Sequence, residues 1–353
     1  MRAFCAKLIR SARGRLGAYV PIGCLVRAAF SIIPFFKAKV IAMDRTFLPD
    51  LPITIGVSTR ALFDLQEEHA VFKTEGVEAY TKLQRERESD LLRKGTAFEV
   101  IRRLLALNDP NRRLVDVVVL SQNSPDLSLR AFKSFEQYGL PIRRGSFTSG
   151  RSVAPFVKAW DIDLFLSNDD KDVKDALAGG TAAAMLGPPP CIQSDQHIDE
   201  VRIVFDGDSV LFSDESDLIY KEHGLATFLD HEREHAEVPM ERGPFGNFLQ
   251  KLAEVRQVFM RPDGVSKIRI GLVTARNAPA HERVIHTLRH WGTPVDEIHL
   301  VGPARKAGFL QAIGAHIFFD DQKKHVEGAA EVVPAGHVPG PHDPTELVIV
   351  AEN

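Results

Sequence analysis

Apolar runs of five to seven residues alternate with amphipathic segments along most of this chain of 353 residues. The runs are rich in Val, Ile, Leu and Phe, which is typical of buried strands. We predict strands at 53–58, 115–121, 163–167, 201–206, 268–274 and 316–321. Segments with helical spacing separate them, such as "LSLRAFKSFEQYG" and "AHERVIHTLRHWG". Strands that alternate with helices predict an α/β fold with a parallel sheet covered on both faces.

The sequence also contains an internal repeat. "IGVSTRALFDLQEEHAVFKTEGVEAY" resembles "IVFDGDSVLFSDESDLIYKEHGLATF", and Gly76 aligns with Gly224 at an offset of 148 residues. Further on, "VVLSQNSPDLSLRAFKSFEQYGLPI" resembles "GLVTARNAPAHERVIHTLRHWGTPV", and Gly139 aligns with Gly292 at an offset of 153. Two long stretches with constant offsets predict two copies of one α/β unit. Each copy has about 150 residues, which is a normal domain size.

We therefore divide the chain into an extension (1–42), a first unit (43–195), a second unit (196–338) and a tail (339–353). The extension contains basic residues and no acidic residue. We interpret it as a segment upstream of a start at Met43, outside the fold, because the folded pattern begins just after it; a transit peptide is the alternative. Its apolar run is interrupted by Pro21, Arg27 and Pro34, so it is a poor membrane helix.

The two units differ in the charged residues at the ends of their predicted strands. Asp206 aligns with Ser58 or Val57, and Asp208 with Arg60 or Thr59. Thr274 aligns with Ser121, and Lys306 aligns with Val153. Asp320 and Asp321 align with Ser167 and Asn168. A turn needed only for the fold has no reason to differ in this way, although Asp-Gly is ordinary turn chemistry. The sequence therefore predicts a functional site in the second unit.

These residues are predicted to converge. The carboxyl ends of the strands in an open α/β sheet line the ligand crevice. Three strands of the second unit end there in Asp206 with Asp208, in Thr274, and in Asp320 with Asp321. Carboxylates this close repel each other unless a cation separates them, and sites of this kind completed by water and phosphate oxygens suit Mg²⁺.

The same positions suggest roles in phosphoryl transfer. Lys306 and Thr274 supply a positive charge and a hydroxyl donor for a phosphoryl group. Asp206 is placed to attack phosphorus, and Asp208 to protonate the leaving oxygen. Arg276, two residues after Thr274, is a further candidate for binding phosphate, with a plain surface role as the alternative.

The pattern resembles the haloacid dehalogenase superfamily of phosphohydrolases, through "VFDGDSV", "GLVTAR", Lys306 and "FFDDQ" in that order. The resemblance implies two tandem Rossmannoid units with parallel sheets and small helical cap inserts, the second cap at about 215–262. It also implies that Asp206 forms an aspartyl-phosphate and that Asp208 acts as general acid and then base. The predicted magnesium ligands are Asp206, Asp208, Asp320 and Asp321.

Longer stretches look like the cytosolic 5'-nucleotidase type I family. They include "FDGDSVLFSDESDLIYKEHGL" and "HIFFDDQKKHVEGA" in the second unit and "LFLSNDDKDVKDAL" and "GGTAAAML" in the first. The resemblance spans about residues 52 to 338 and implies magnesium-dependent hydrolysis of a nucleoside 5'-monophosphate such as AMP. Many relatives have Thr-Gly-Gly where this chain has Thr148, Ser149 and Gly150. The alternatives are a phosphatase of the same superfamily with another small substrate, and a nucleotide sensor without catalysis.

Composition narrows the choice of partners. The net charge of −3 argues against a protein that binds nucleic acid through broad phosphate attraction. Cys5, Cys24 and Cys191 have neither disulfide nor zinc spacing, so we expect a reducing compartment, the cytoplasm. We expect no membrane partner, and a homo-oligomer is left open.

Two sets of histidines are weighed and set aside. "HEREH", from His231 to His235, matches the zinc-peptidase pattern, but its surroundings are charged instead of apolar. We predict a solvated helix face there. His281, His286 and His290 share a predicted helix and are interpreted as surface or packing residues.

Overall fold

A computed structural model describes residues 52–190 and 200–340. The predicted extension (1–42), the boundary between the units at 195/196 and the tail beyond residue 340 lie outside the described residues. Within these residues, no helix is both long enough and apolar enough to cross a membrane.

Helices and strands alternate through the described residues. The strands are β1 (Ile53–Ser58), β2 (Phe63–Asp64), β3 (Arg93–Lys94), β4 (Val115–Ser121), β5 (Arg144–Phe147), β6 (Leu164–Ser167), β7 (Ala182–Leu186), β8 (Val201–Phe205), β9 (Ile268–Thr274), β10 (Glu297–Leu300), β11 (Ile317–Asp320) and β12 (Ala335–His337). The helices are α1 (Thr59–Leu62), α2 (Gln66–Glu86), α3 (Phe98–Leu105), α4 (Ser128–Gln137), α5 (Ala154–Ala159), α6 (Asp170–Ala178), α7 (Glu215–Glu234), α8 (Gly246–Val258), α9 (His281–Trp291), α10 (Lys306–Ile313) and α11 (Lys323–Ala330).

All six predicted strands are confirmed, as β1, β4, β6, β8, β9 and β11. Their β-branched and aromatic side chains fit a sheet that is buried on both faces, and every residue of β4 is buried. The remaining strands were not predicted. They are short, and β7 consists mainly of alanine, which has little preference for strands.

Ten strands form one continuous sheet in the order β10-β9-β8-β11-β12-β7-β6-β1-β4-β5. Read outward from the centre, the two five-stranded halves have the same connectivity, and the strands within each half are parallel. The halves join where β12 pairs antiparallel with β7. The expectation of separate parallel sheets is therefore corrected: two strands that would be open edges cover each other.

The register of the strands fixes how the two units align. The central strands pair at equivalent heights: Val57 with Val119 and Leu166, and Phe205 with Leu272 and Phe319. These pairs agree with the offsets of 148 and 153 found in the sequence. The residue after Val57 is Ser58, and the residue after Phe205 is Asp206. Ser58, and not Val57, is therefore the counterpart of Asp206.

The first long helix of each unit bends at the same place. Gly76 in α2 has a φ of +85°, and Gly224 in α7 has a φ of +79°. Glycine adopts this left-handed region without the steric penalty that a Cβ brings. The aligned glycines therefore mark a shared kink.

The largest apolar core includes residues of both units. Phe248 and Leu252 of α8 are buried in this core, together with Phe205 of β8. The second part of the predicted cap insert is therefore a helix of the core. Only α7 and its flanking segments remain from that insert as a candidate cap.

Candidate metal centre and catalytic site

Three aspartates meet at the carboxyl ends of two neighbouring strands. Asp206 follows β8 directly, Asp320 is the last residue of β11, and Asp321 comes next. Each can offer a carboxylate oxygen such that the three oxygens lie within 4.8 Å of one another, and all three residues are buried. Within residues 52–190 and 200–340, this is the only group of three or more His, Cys, Asp or Glu residues close enough to share a metal ion.

Lys306 joins two of these aspartates. It is the first residue of α10 and is 3% exposed. Its Nζ donates a hydrogen bond to Asp320 Oδ2 at 2.7 Å and forms an ion pair with Asp206 Oδ1 at 2.9 Å. The predicted meeting of Asp206, Lys306 and Asp320 is therefore present in the structure.

The cluster holds more negative charge than one ammonium can balance. Burial, with the neighbouring Asp320 and Asp206, raises the pKa of Asp321 to about 9. Burial also raises the pKa of Asp206 to about 6, although Lys306 opposes the rise. Burial acts in the same direction on Asp320, but Lys306 and His325 outweigh it and lower its pKa to about 2.

The donors fit a hard divalent cation. All three carboxylates offer oxygen, which magnesium prefers. Asp206 Oδ1 is buried beside the Lys306 ammonium, 2.9 Å away, so an oxygen of this carboxylate faces the cluster. A cation at this place would lower the pKa of Asp321 and Asp206, because an opposite charge favours the ionised form. Asp208, the fourth predicted ligand, does not belong to this group.

Thr274 lies beside the turn that follows Asp206. It is the last residue of β9, which is the neighbour of β8, and it is buried. Its Oγ1 would be 3.3 Å from a Cβ placed on Gly207. It also accepts a hydrogen bond from the backbone N–H of Arg276 at 3.2 Å. The hydroxyl is therefore held next to the Asp206–Asp208 turn.

The guanidinium of Arg276 is engaged by carboxylates. Its Nε and Nη2 donate to the two oxygens of Asp208 at 2.8 and 2.7 Å, and its Nη1 donates to Glu232. Arg276 is fully buried. The phosphate-binding role expected for Arg276 stays a prediction, and the structure gives the side chain different partners.

Glu232, the first of the two glutamates of "HEREH", was not singled out from the sequence, and its burial corrects the prediction of a solvated helix face at this position. Its side chain is fully buried, and it accepts hydrogen bonds from Ser216 at 2.9 Å and from Arg283 at 3.0 Å. The rings of His231 and His235 stack at 4.1 Å between centroids. The buried element of this motif is therefore its carboxylate.

Two further histidines lie next to the aspartates. A ring nitrogen of His325 lies 3.3 Å from Asp320 Oδ2, and a ring nitrogen of His337 lies 2.9 Å from the backbone oxygen of Asp321. The sequence carried no signal for them beyond their position near β11 and β12. His286, one of the three histidines of α9, has a ring nitrogen 2.8 Å from the carbonyl oxygen of Ala236. That contact agrees with a packing role.

Known proteins match this chain over most of its length. The model of the family described as 5'-nucleotidase matches residues 48–344. The human protein named Cytosolic 5'-nucleotidase 1B is 34% identical over 293 residues, which cover 80% of this chain and 48% of that protein. The chain thus spans about half the length of this curated relative. These matches confirm the family resemblance read from the motifs.

Among solved structures, a histidinol dehydrogenase from Elizabethkingia anophelis aligns with 91% of this chain and 75% of its own. Its sequence identity is 10% and its TM-score 0.20, which is too low to indicate a shared fold.

Proposed function

The chain belongs to the 5'-nucleotidase family, and from that premise we propose that it hydrolyses nucleoside 5'-monophosphates to nucleoside and phosphate, with magnesium. The observation that carries this proposal is the cluster of Asp206, Asp320 and Asp321 with Lys306 at strand ends. A buried carboxylate next to an ammonium and a cation site is suited to attack a phosphoryl group.

The proposed reaction has two steps, and Asp206 acts in both. Asp208 starts the first step protonated. A carboxylate oxygen of Asp206 attacks phosphorus, the bond from phosphorus to the ribose 5'-oxygen breaks, and Asp208 gives its proton to that oxygen. The nucleoside leaves, and the phosphoryl group remains on Asp206. Asp208 then takes a proton from water, the oxygen of that water attacks phosphorus, and phosphate leaves with Asp206 restored.

Other groups of the site hold the phosphoryl group in place. The Lys306 ammonium, which the two flanking carboxylates keep charged by raising its pKa against the effect of burial, would balance charge on the equatorial oxygens. The Thr274 hydroxyl would donate a hydrogen bond to one of them. A magnesium ion held by Asp206, Asp320 and Asp321 would supply positive charge against the phosphate oxygens.

We assign the two units different tasks. The repeated strand order supports two tandem haloacid-dehalogenase-like units, of which the second is catalytic and the first supports the fold. The segment around α7 is the proposed cap, because it connects Asp208 to the core helix α8. A cap at this position would exclude water and help to select the leaving group.

AMP-like monophosphates are the proposed substrates and the cytosol the proposed location. The family supports a nucleoside monophosphate, the resemblance of the motifs supports AMP among these, and the name of the human relative supports the cytosol. A phosphatase for another small phosphate ester and a non-catalytic nucleotide sensor remain the two alternatives.

A phosphate-release assay separates these functions. The protein is given nucleoside monophosphates and sugar phosphates, each with magnesium and with EDTA. We expect release from nucleoside monophosphates that needs the metal and is lost in Asp206→Asn. Preference for sugar phosphates would favour the first alternative, and AMP binding without phosphate release would favour the sensor.

The matched control is Asp172→Asn. Asp172 is a buried aspartate of the first unit that accepts hydrogen bonds from Gln122 and Ser152. The Asp172→Asn variant should keep its turnover. A loss of phosphate release in both Asp206→Asn and Asp172→Asn would point to general damage to the fold.

A further inference from the structure

A chain of buried charged side chains runs from the Asp206–Asp208 turn to the helix α7. We propose that Arg276 and Glu232 are positioning residues: Arg276 fixes the Asp208 carboxylate, and Glu232 fixes Arg276. The seating of α7 on the second unit then determines how well Asp208 serves the leaving oxygen. This inference rests on the proposed function.

The first link orients Asp208. Both of its carboxylate oxygens accept hydrogen bonds from Arg276, at 2.7 and 2.8 Å. A two-pronged pair of this kind fixes the plane of a carboxylate as well as its position. Asp208 belongs to the turn Gly207–Leu211, directly after Asp206, and it lies outside the metal-binding group. The pair therefore holds Asp208 beside the reacting centre without adding it to the metal ligands. When Asp208 carries the proton of the acid, one oxygen keeps its bond from Arg276 and the other presents the O–H to the leaving oxygen.

The second link ties Arg276 to α7. Its Nη1 donates to Glu232 Oε2, and its guanidinium lies 5.5 Å from the centre of the Phe228 ring. Both Glu232 and Phe228 belong to α7. With Asp208 on one side and α7 on the other, Arg276 cannot shift without losing one of its partners.

The third link anchors Glu232 itself. Its Oε1 accepts from Ser216 at 2.9 Å and from Arg283 of α9 at 3.0 Å, and Arg283 also contacts Glu215 at 3.2 Å. Burial opposes the charge on Glu232, but Arg276 and its other donors lower its pKa. The charge on Glu232 is therefore balanced by Arg276 and Arg283, as a buried charge must be to persist.

The first unit keeps the anchoring part of this network. Arg130, the counterpart of Arg283, donates to Gln84 at 3.0 Å and to Glu68 at 2.9 Å. Gln84 aligns with Glu232, and Glu68 with Ser216, at the offset of 148. The contact of the first long helix with α4 in the first unit and with α9 in the second is therefore common to both units and belongs to the scaffold.

The first unit lacks the part that reaches the turn. Asn123 stands in the place of Arg276 and accepts a hydrogen bond from Tyr80 at 3.1 Å. Arg60 stands in the place of Asp208 at the offset of 148. The Asp208–Arg276 pair thus occurs only in the unit that carries the aspartate cluster, which favours a role in the reaction over a role in folding.

The test compares leaving groups. When the phosphoryl group of AMP is transferred, the departing nucleoside needs a proton on its 5'-oxygen. In the analogue with sulfur at the bridging 5' position, the nucleoside departs as a thiolate and needs no proton. The value of kcat/KM covers the steps up to departure of the nucleoside. For AMP we expect it to fall about tenfold in Glu232→Gln and about 100-fold in Arg276→Lys, because a misplaced catalytic group can cost about 10²-fold. For the sulfur analogue the same variants should lose less than about threefold.

Two controls make the comparison specific. Glu68→Gln neutralises the buried carboxylate that pairs with Arg130 in the first unit. It should leave kcat/KM unchanged for both substrates. Arg276→Lys added to Asp208→Asn should cause no further loss with AMP, because Arg276 acts through Asp208. This second control also decides the question if the sulfur analogue is not turned over.

Several outcomes would overturn the proposal. They are an equal loss with both substrates, a leaving-group effect in Glu68→Gln as well, and additive losses in the double variant. If Arg276→Lys does not fold, Glu232→Gln alone tests the proposal, because glutamine keeps the size and shape of the glutamate side chain. A wild-type protein that releases no phosphate from AMP would instead refute the proposed function.

Discussion

Ser134 and Thr287 hold equivalent places in the two units. The Ser134 hydroxyl accepts a hydrogen bond from the backbone N–H of Leu92 at 3.1 Å, and the Thr287 hydroxyl accepts one from Met240 at 3.0 Å. Both pairs are related by the offsets of the repeat, and both hydroxyls are buried. Each bond ties the segment after the first long helix to a later helix of the same unit, α4 or α9, so the repeat extends to individual polar contacts.

Removing either hydroxyl should destabilise the protein. Ser134→Ala and Thr287→Val each leave a buried N–H without its partner, which costs roughly 1–3 kcal/mol. Urea unfolding measures the change in the free energy of unfolding. Thr74→Val and Thr227→Val are the controls, because these exposed hydroxyls bond carbonyl oxygens of their own helices. An unchanged midpoint in Ser134→Ala and Thr287→Val would show that water satisfies the freed groups.

Much of this architecture could be predicted from the sequence. The six strands carry strong apolar signals, and parallel strands bring their carboxyl ends together, so the meeting of Asp206 and Asp320 followed from pattern and topology. The junction of β7 with β12 could not be predicted, because "AAAML" and "AGH" have weak strand preferences. The hydrogen-bond partners of Arg276 could not be predicted from the sequence either. Asp208 and Glu232 lie 68 and 44 residues away from it, and only the fold brings them together.

The stability of the metal-free protein should fall as the pH rises. The folded-state pKa of Asp321 is about 9, well above its ordinary value of 3.8, and that of Asp206 is about 6. Between about pH 4 and pH 9 the folded state therefore binds more protons than the unfolded state, and the free energy of unfolding decreases with pH. The low pKa of Asp320, about 2, has the opposite effect only below about pH 4.

Urea unfolding in EDTA at pH 5.5 and pH 8.5 measures this slope. Asp321→Asn removes the largest contribution and should flatten the dependence. Added magnesium should stabilise the wild type more at pH 8.5 than at pH 5.5, because the ion binds ionised carboxylates. A metal-free protein that is more stable at pH 8.5 than at pH 5.5 would contradict the raised pKa of Asp321.

Replacing Lys306 should impair both catalysis and metal-free stability. Lys306→Met removes the ammonium between Asp206 and Asp320 and leaves two buried carboxylates unbalanced. Breaking a buried pair in this way costs about 3–5 kcal/mol, and losing one electrostatic donor to a phosphoryl group lowers kcat by about 10²–10³-fold. Thermal unfolding in EDTA and phosphate release with magnesium measure the two effects.

Lys251→Met is the control for Lys306. Lys251 pairs with Asp163 at 2.7 Å, away from the aspartate cluster, and is partly exposed. It should keep its turnover and most of its stability. A Lys306→Met variant with normal kcat would show that the ammonium serves only the fold.

The two histidines of "HEREH" should be dispensable for phosphate release. His231 lies 3.4 Å from Glu215, and the ring of His235 stacks on the ring of His231. Neither histidine belongs to the carboxylate cluster found among the described residues. His231→Asn combined with His235→Asn should therefore change kcat less than about threefold, since neither histidine contacts the aspartate cluster and asparagine keeps a polar side chain at both places. Glu232→Gln, one residue from His231, should lower phosphate release from AMP by far more, because Glu232 contacts Arg276. Activity and bound zinc are measured together, and a loss of both in the histidine variant would show that the motif binds zinc after all.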